Sequence, residues 1–326
     1  MTRVPYSSLT QTNGRSPSVL EVDGKKVVVR NLNKIFYPKT GFTKGDVINY
    51  YIKISSVLLP HLECRPISLK RYPEGVTGSF FYEKQCPSHR PKWIKTVRVK
   101  KSDGCPIQYC TIHNLAALIW AANLADLEIH TFLHKAPQLK TPTAIAFDLD
   151  PGPPANIVQC CEVALLIKVI LASIKLEGFA KTSGSKGLQI YIPLNTAPVT
   201  YKETNAFARG IAELLEKEFP KQVISRMKKS LRRGKVFVDW SQNDQAKTTV
   251  NVYSLRAKDA PTVSTPVTWE EVERTAKKKS ILSFESDEVL DRIEKLGDLF
   301  APVIKMKQKL PPFTFLARRF NSERVQ

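Results

Sequence analysis

No run of this 326-residue chain is apolar for long enough to span a bilayer, and no basic amphipathic helix is visible. The first residues carry no secretory apolar region. A membrane partner is therefore not expected, and a cytoplasmic location is. Acidic residues are scarce: 30 Asp and Glu stand against 50 Lys and Arg, a formal net charge of +20. A positive field spread along the whole chain attracts polyanions, nucleic acid above all. Cysteine pairs of the CxxC kind are also missing, although six cysteines are present. A zinc site would have to draw on Cys105, Cys110 and His113, or on Cys86 and His89, without the usual paired spacing. Reduced, packed thiols are the expectation.

Internal repeats are absent, and strands and helices mix without regular βαβ alternation. This favours an α+β (mixed α/β) fold. Residues 1–20 are rich in Ser, Thr, Gln and Asn and read as a disordered leader. Residues 21–300 read as one catalytic domain, and 301–326 as a basic, loosely held tail. Glu21 to Tyr37 suggests a hairpin. Thr43 opens a helix, with Asp46 three residues on as a capping box. Asn114 starts a helix apolar nearly all round. A long helix is expected over Asn156–Leu176, ended by Gly178. Further helices are expected over Thr200–Glu218, Trp269–Lys279 and Asp287–Leu296.

The chemistry concentrates in a few segments. Thr143–Phe147 reads as a buried strand ending in Asp148-Leu149-Asp150, just before Pro151-Gly152. Side chains at i and i+2 of a strand share a face. Two such carboxylates repel unless a cation lies between them, and oxygen ligands suit Mg²⁺ or Mn²⁺. Val236-Phe237-Val238 is a second apolar strand, ending in Asp239. Three carboxylates on adjacent strand ends suit two metal ions and an in-line phosphoryl or nucleotidyl transfer.

Lys181-Thr182-Ser183-Gly184-Ser185-Lys186-Gly187 offers glycine-freed amides and a lysine as a triphosphate cradle. It lacks the Walker spacing, and an ordinary polar hairpin turn fits it equally well. Lys34 and Lys44 flank a Pro- and Gly-containing turn and are able to pinch a terminal phosphate; exposed lysines are the plain alternative. Phe80-Phe81-Tyr82 offers a stacking platform for bases, although alternation puts at least one ring in the core. His130 closes Leu127-Glu128-Ile129 and by itself reads as structural. Lys101-Ser102-Asp103-Gly104 imitates the K-x-D-G motif of ATP-dependent ligases. The following arginine is missing, and no further ligase motif is present.

Three segments occur together, in order and at suitable spacing: Phe147-Asp148-Leu149-Asp150-Pro151-Gly152, Thr182-Ser183-Gly184-Ser185-Lys186-Gly187-Leu188, and Val236 to Asn243. Thr248–Arg256 and Pro261–Pro266 follow. Over about Val27–Leu299 the chain closely resembles the polymerase domain of bacterial DNA ligase D, a member of the archaeo-eukaryotic primase superfamily. The resemblance implies two packed α/β layers around a central mixed sheet, with the site in a cleft. It implies a template-directed nucleotidyltransferase that fills gaps and extends ends in double-strand break repair by non-homologous end joining.

Carried over by residue, the resemblance makes Asp148, Asp150 and Asp239 ligands of two Mn²⁺ or Mg²⁺ ions. Lys70, His130, Ser183, Lys186, Gln242 and Arg256 would meet the incoming NTP or dNTP. Lys34 and Lys44 would grip a DNA 5′-phosphate, Phe81 or Tyr82 would stack at the template bend, and Arg232 would manage template ends. Tyr82 departs from the family, which has phenylalanine at both platform positions. The implied partners are DNA with gaps or 3′ overhangs, a separate ATP-dependent DNA ligase and a Ku-type end-binding protein, in a nucleoid-associated setting. A DNA-end-bridging module and a primer-independent primase are the alternatives.

Overall fold

The computed structural model describes residues 18–100, 104–196 and 198–311. Most of the expected leader, the middle of the basic turn with Lys101, Ser102 and Asp103, and residues 312–326 of the expected tail lie outside the described residues.

The first strands and helices are β1 (Ser18–Val22), β2 (Lys25–Val29), β3 (Ile35–Tyr37), β4 (Phe42–Thr43), α1 (Lys44–Leu62), β5 (Ile67–Arg71), β6 (Phe81–Glu83), β7 (Thr96–Lys100), β8 (Pro106–Cys110), α2 (Leu115–Asn123) and β9 (Asp126–Thr131). Then come β10 (Ala144–Pro151), α3 (Ile157–Ser173), β11 (Phe179–Thr182), β12 (Leu188–Pro193), α4 (Tyr201–Glu218), β13 (Val223–Ile224) and β14 (Val236–Asp239). The last are β15 (Thr249–Val250), β16 (Pro266–Val267), α5 (Trp269–Lys278), α6 (Ser286–Leu296) and α7 (Ala301–Lys305). Two compact units result. The first takes the chain up to Pro137, with Thr248–Ser264 and Phe284–Asp298. The second takes Gln138–Lys247, Thr265–Ser283 and the chain from Leu299 on.

The first unit is built on an antiparallel sheet in the order β15-β9-β5-β8-β7, with β6 also paired to β5. Helix α1 starts where the sequence places it. Thr43 Oγ1 accepts from the Asp46 amide at 3.2 Å, and Asp46 Oδ2 accepts from the Thr43 amide at 2.8 Å. This reciprocal cap satisfies two amides that the helix cannot. The first hairpin is β1–β2, and it ends well before Tyr37.

The second unit holds the mixed sheet, in the order β13-β14-β10-β12-β11-β16. Only β13 and β14 run parallel among its described pairs. Strand β10 is longer than Thr143–Phe147. Ala144 to Phe147 are all buried, as in a strand covered on both faces. From Asp148 the pattern alternates, with Leu149 buried and Asp150 exposed. The aspartates thus lie within the strand, where one face of the sheet opens.

Several expectations need correction. Helix α3 stops at Ser173, and Lys175 takes the left-handed turn at φ 60°. Gly178 is instead where the chain packs under Leu171 and Ile190: a Cβ there would meet Leu171 Cδ1 at 2.9 Å. Cys86 and Cys110 are not reduced thiols or zinc ligands but a disulfide, with Cα atoms 5.0 Å apart. The Cys86 amide donates to Gln108 O at 2.6 Å, which brings residue 86 alongside β8. No alternating ring is drawn into the core at the aromatic triplet: Phe80, Phe81 and Tyr82 are 51%, 45% and 50% exposed. Beyond α7, Gln308 is held rather than loose. Its amide donates to Leu194 O and its Nε2 to Pro193 O, both at 2.9 Å.

Candidate active site

Antiparallel pairing sets Asp148 directly opposite Asp239, and Asp150 opposite Phe237. Directly opposed residues share a face, as do residues two apart on one strand. All three carboxylates therefore project from one face of the second unit's sheet. Asp239 is well supported. Its Oδ1 accepts from the Ser241 amide (2.9 Å) and hydroxyl (2.6 Å), and its Oδ2 from Gln242 Nε2 at 3.1 Å. Gln242, expected on the nucleotide, here holds Asp239. Asn243 ties the same turn to β10, donating to Ala146 O at 2.8 Å and accepting from its amide at 2.9 Å.

Asp148 differs from Asp239. Its Oδ1 is shielded from solvent and has no hydrogen-bond partner. Burial, and then the charges of Asp150 and Asp239, push its carboxyl up to about 7, against a hydrogen bond from Gln189 and the charge of Lys181. An unpartnered buried carboxylate oxygen beside two further acids is what a divalent cation would complete. No closed cage of three or more such ligands stands ready among the described residues. The carboxylates form an open face.

Two residues of the segment expected to cradle a triphosphate, Lys181 and Gly187, instead support that face. Lys181 is fully buried on β11 and donates to Gln189 Oε1 at 2.6 Å. Gln189 is the β12 residue directly opposite Asp148. A buried positive charge is thereby held on β11, with only β12 between it and the strand of Asp148 and Asp150. The second support is Gly187. A Cβ there would lie 2.1 Å from Leu149 O, the carbonyl between the two aspartates.

The Ser183–Gly187 turn closes on itself. Ser183 Oγ accepts from the amides of Ser185 (3.2 Å) and Gly187 (3.1 Å), and the Ser183 amide donates to Gly187 O at 2.9 Å. The Gly187 amide is therefore not open to a phosphate, while Lys186 is exposed beside it. Arg232 follows the short 3₁₀ turn Lys229–Leu231. Its guanidinium lies 3.7 Å over the Phe237 ring and donates to Met227 O at 2.8 Å. Gly152 admits this loop: a Cβ there would meet Arg232 O at 1.9 Å.

In the first unit, β9 and β5 bring Lys70 and His130 to one carboxylate, Glu128, at 3.1 Å each. Arg256, after β15, reaches the same carboxylate at 3.4 Å. His130 lies within β9 rather than at its end. Burial, followed by the charges of Arg256 and Lys70, lowers its pKa despite Glu128. Tyr82 stands edge-on to the His130 ring, with centroids 5.7 Å apart. Phe81 lies 5.2 Å from the Arg71 guanidinium.

Lys34 and Lys44 also meet. The chain before α1 folds over the helix start: the Lys44 amide donates to Lys34 O and the Gly45 amide to Leu32 O, both at 2.8 Å. Lys44 is buried, with Nζ donating to Arg30 O at 2.9 Å. Burial, then the charges of Lys34 and Arg71, lower its pKa to about 8. Lys34 Nζ pairs with Glu74 at 2.6 Å.

Residues 43–300 match the family model described as the LigD primase-polymerase domain. The multifunctional non-homologous end joining protein LigD of Mycolicibacterium smegmatis is 41% identical over 286 residues, which is 86% of this chain and 36% of that protein. The bifunctional LigD of Bacillus subtilis is 31% identical over 88% of this chain and 45% of its own length. The chain thus spans between a third and a half of these relatives. The polymerase domain of Mycobacterium tuberculosis ligase D in complex with DNA is 39% identical, with a TM-score of 0.81, over 86% of this chain and 99% of that one.

Proposed function

This chain belongs to the LigD primase-polymerase domain family, and on that premise we propose that it is a template-directed nucleotidyltransferase that fills gaps and extends DNA ends in non-homologous end joining. The observation that carries the reading is the set of three acids on one sheet face, with Asp148 Oδ1 buried and unpartnered. Asp148, Asp150 and Asp239 would hold two divalent ions, Mg²⁺ or Mn²⁺. Bound there, such ions would supply activation of the primer 3′-hydroxyl and neutralisation of charge on the departing pyrophosphate.

The chain's own residues supply the rest. Ser241 and Gln242 fix both oxygens of Asp239, so the ligand is oriented before anything binds. Lys186, Lys70, His130 and Arg256 contact the incoming NTP or dNTP, while Ser183 shapes the turn that presents Lys186. Phe81 and Tyr82, exposed as rings, stack on the template strand. The Arg232 loop meets template ends. The net charge of +20 draws the chain to DNA, with binding that weakens steeply as salt rises.

No helix among the described residues is long and apolar enough to cross a membrane. A cytoplasmic, nucleoid-associated setting fits this reading, with a DNA ligase activity to seal the filled gap and a Ku-type protein to hold the ends.

Lys34 and Lys44 bind the 5′-phosphate on the far side of a gap. With a pKa near 8 in the free protein, Lys44 is charged at pH 7 and loses its proton as pH rises through 8. A phosphate favours the charged form, so binding above pH 8 takes up a proton. The preference for 5′-phosphate over 5′-hydroxyl gaps is expected to be largest near pH 7 and to shrink by about tenfold toward pH 9 to 9.5. Fluorescence anisotropy with the two gapped duplexes reads this directly. A preference flat across that range would remove Lys44 from phosphate recognition.

Single-nucleotide extension on a gapped duplex with a divalent metal tests the function itself. Metal-dependent, template-matched addition is expected; binding without addition would leave only an end-bridging role.

A further inference from the structure

Glu128 carries a charge that the mechanism above leaves without a task. It lies in β9 between the buried Leu127 and Ile129 and is itself 1% exposed. An isolated carboxylate there would be costly. Here it is surrounded by donors. Oε2 lies 3.1 Å from Lys70 Nζ, 3.1 Å from His130 Nε2 and 3.4 Å from Arg256 Nε. Oε1 accepts from the Tyr72 hydroxyl at 3.3 Å and from the Ala257 amide at 3.1 Å. Burial pushes its carboxyl up, but the His130 hydrogen bond and the charges of Arg256, His130 and Lys70 outweigh that and hold it well below the usual carboxylate range. An ionised carboxylate only accepts, so every proton in these contacts belongs to the partner.

The three basic side chains come from separate places. Lys70 is on β5, His130 lies two residues along β9, and Arg256 follows β15. Lys70 and Arg256 repel each other without an anion between them. One carboxylate offsets one of these two charges and leaves the group net positive, as a triphosphate site requires. Lys70 is further boxed by the rings of Phe80, Tyr72 and Tyr82, at 4.5, 5.2 and 5.7 Å. Side chains already fixed lose less freedom when a ligand arrives.

Resting on the reading that Lys70, His130 and Arg256 meet the incoming nucleotide, we propose that Glu128 is the positioning residue that holds these three in one preset array. It sets nucleotide affinity without touching the nucleotide.

The test is single-nucleotide insertion on a gapped duplex, with KM for the triphosphate and kcat measured separately, in Glu128→Gln, Lys70→Ala and the double variant. Glu128→Gln is expected to raise KM about tenfold, with kcat within about threefold and gapped-DNA affinity unchanged. Because Lys70 is held by Glu128, Lys70→Ala is expected to cost clearly less in the Gln background than in the wild type. Additive effects, or a fall in kcat at unchanged KM, would overturn the proposal. If Lys70→Ala, His130→Ala and Arg256→Ala all leave KM unchanged, the nucleotide-contact reading fails instead, whatever Glu128 does. If Glu128→Gln does not fold, Glu128→Asp carries the same measurements. It keeps the charge on a shorter arm, so a raised KM supports positioning and an unaltered one refutes it.

Discussion

Asp148→Asn is expected to abolish nucleotide addition, by roughly 10³-fold or more, while making the metal-free protein more stable to heat at pH 8. The first effect follows from the ion that Asp148 would hold, since transition-state charge stabilisation by a metal amounts to several kcal/mol and each 1.36 kcal/mol is tenfold in rate. The second follows from the environment of the carboxyl. Its pKa is raised to about 7 by burial and by the neighbouring Asp150 and Asp239. A raised acid destabilises the fold only when ionised. The penalty is absent below about pH 4, grows as pH rises, and is complete above about pH 7. Asparagine removes the charge and keeps the shape. After solvent screening the gain is on the order of 2 kcal/mol at pH 8, and it vanishes at pH 4. Thermal melts at the two pH values, with EDTA present, check the stability half. Gapped-duplex extension and anisotropy check that activity is lost while DNA binding survives. A variant less stable than wild type at pH 8 would mean that Asp148 is a structural acid.

Gly187→Ala is expected to damage both fold and catalysis although it touches no proposed substrate. An alanine Cβ would sit 2.1 Å from Leu149 O, a backbone atom of the strand that carries Asp148 and Asp150. Backbone cannot swing aside as a flexible side chain can. Overpacking of this kind costs about 1–3 kcal/mol, and the relief available is to push β10 outward. Misplacing catalytic groups by about an ångström costs on the order of 10² in rate. Extension is therefore expected to fall at least about a hundredfold, and the melting temperature by several degrees. Lys186→Ala is the contrast one residue away. Its side chain is exposed, so it should weaken nucleotide affinity and leave the melting temperature unaltered. Wild-type kinetics in Gly187→Ala would show that the turn does not set the position of the acids.

How much of this was legible in the sequence depends on how far each feature reaches along the chain. Asp148-Leu149-Asp150 was legible because two residues on one strand share a face by local geometry alone. The helix starts at Thr43, Asn114 and Thr200 were legible for the same reason, since a cap and its partner lie within one turn. The pairing of Asp148 with Asp239 was only half visible. Both strand ends could be seen, but register is set by tertiary packing.

Glu128 escaped notice because a lone acid inside Leu127-Glu128-Ile129 reads as the solvent side of an alternating strand, and Lys70 and Arg256 reach it from remote segments. The Cys86–Cys110 bond depends on a loop lying alongside β8, which cysteine spacing does not encode. The exposure of all three rings at Phe80–Tyr82 defied the alternation rule because only the last two belong to a strand, a three-residue one at that.

The most direct measurement is a Mn²⁺ titration followed by electron paramagnetic resonance, with a non-hydrolysable triphosphate present, on wild type and on Asp148→Asn and Asp239→Asn. The carboxylate face is expected to take two ions per chain, and each variant to lose at least one while remaining folded. Equal Mn²⁺ binding in all three proteins would contradict the assignment of these acids as the metal-holding face.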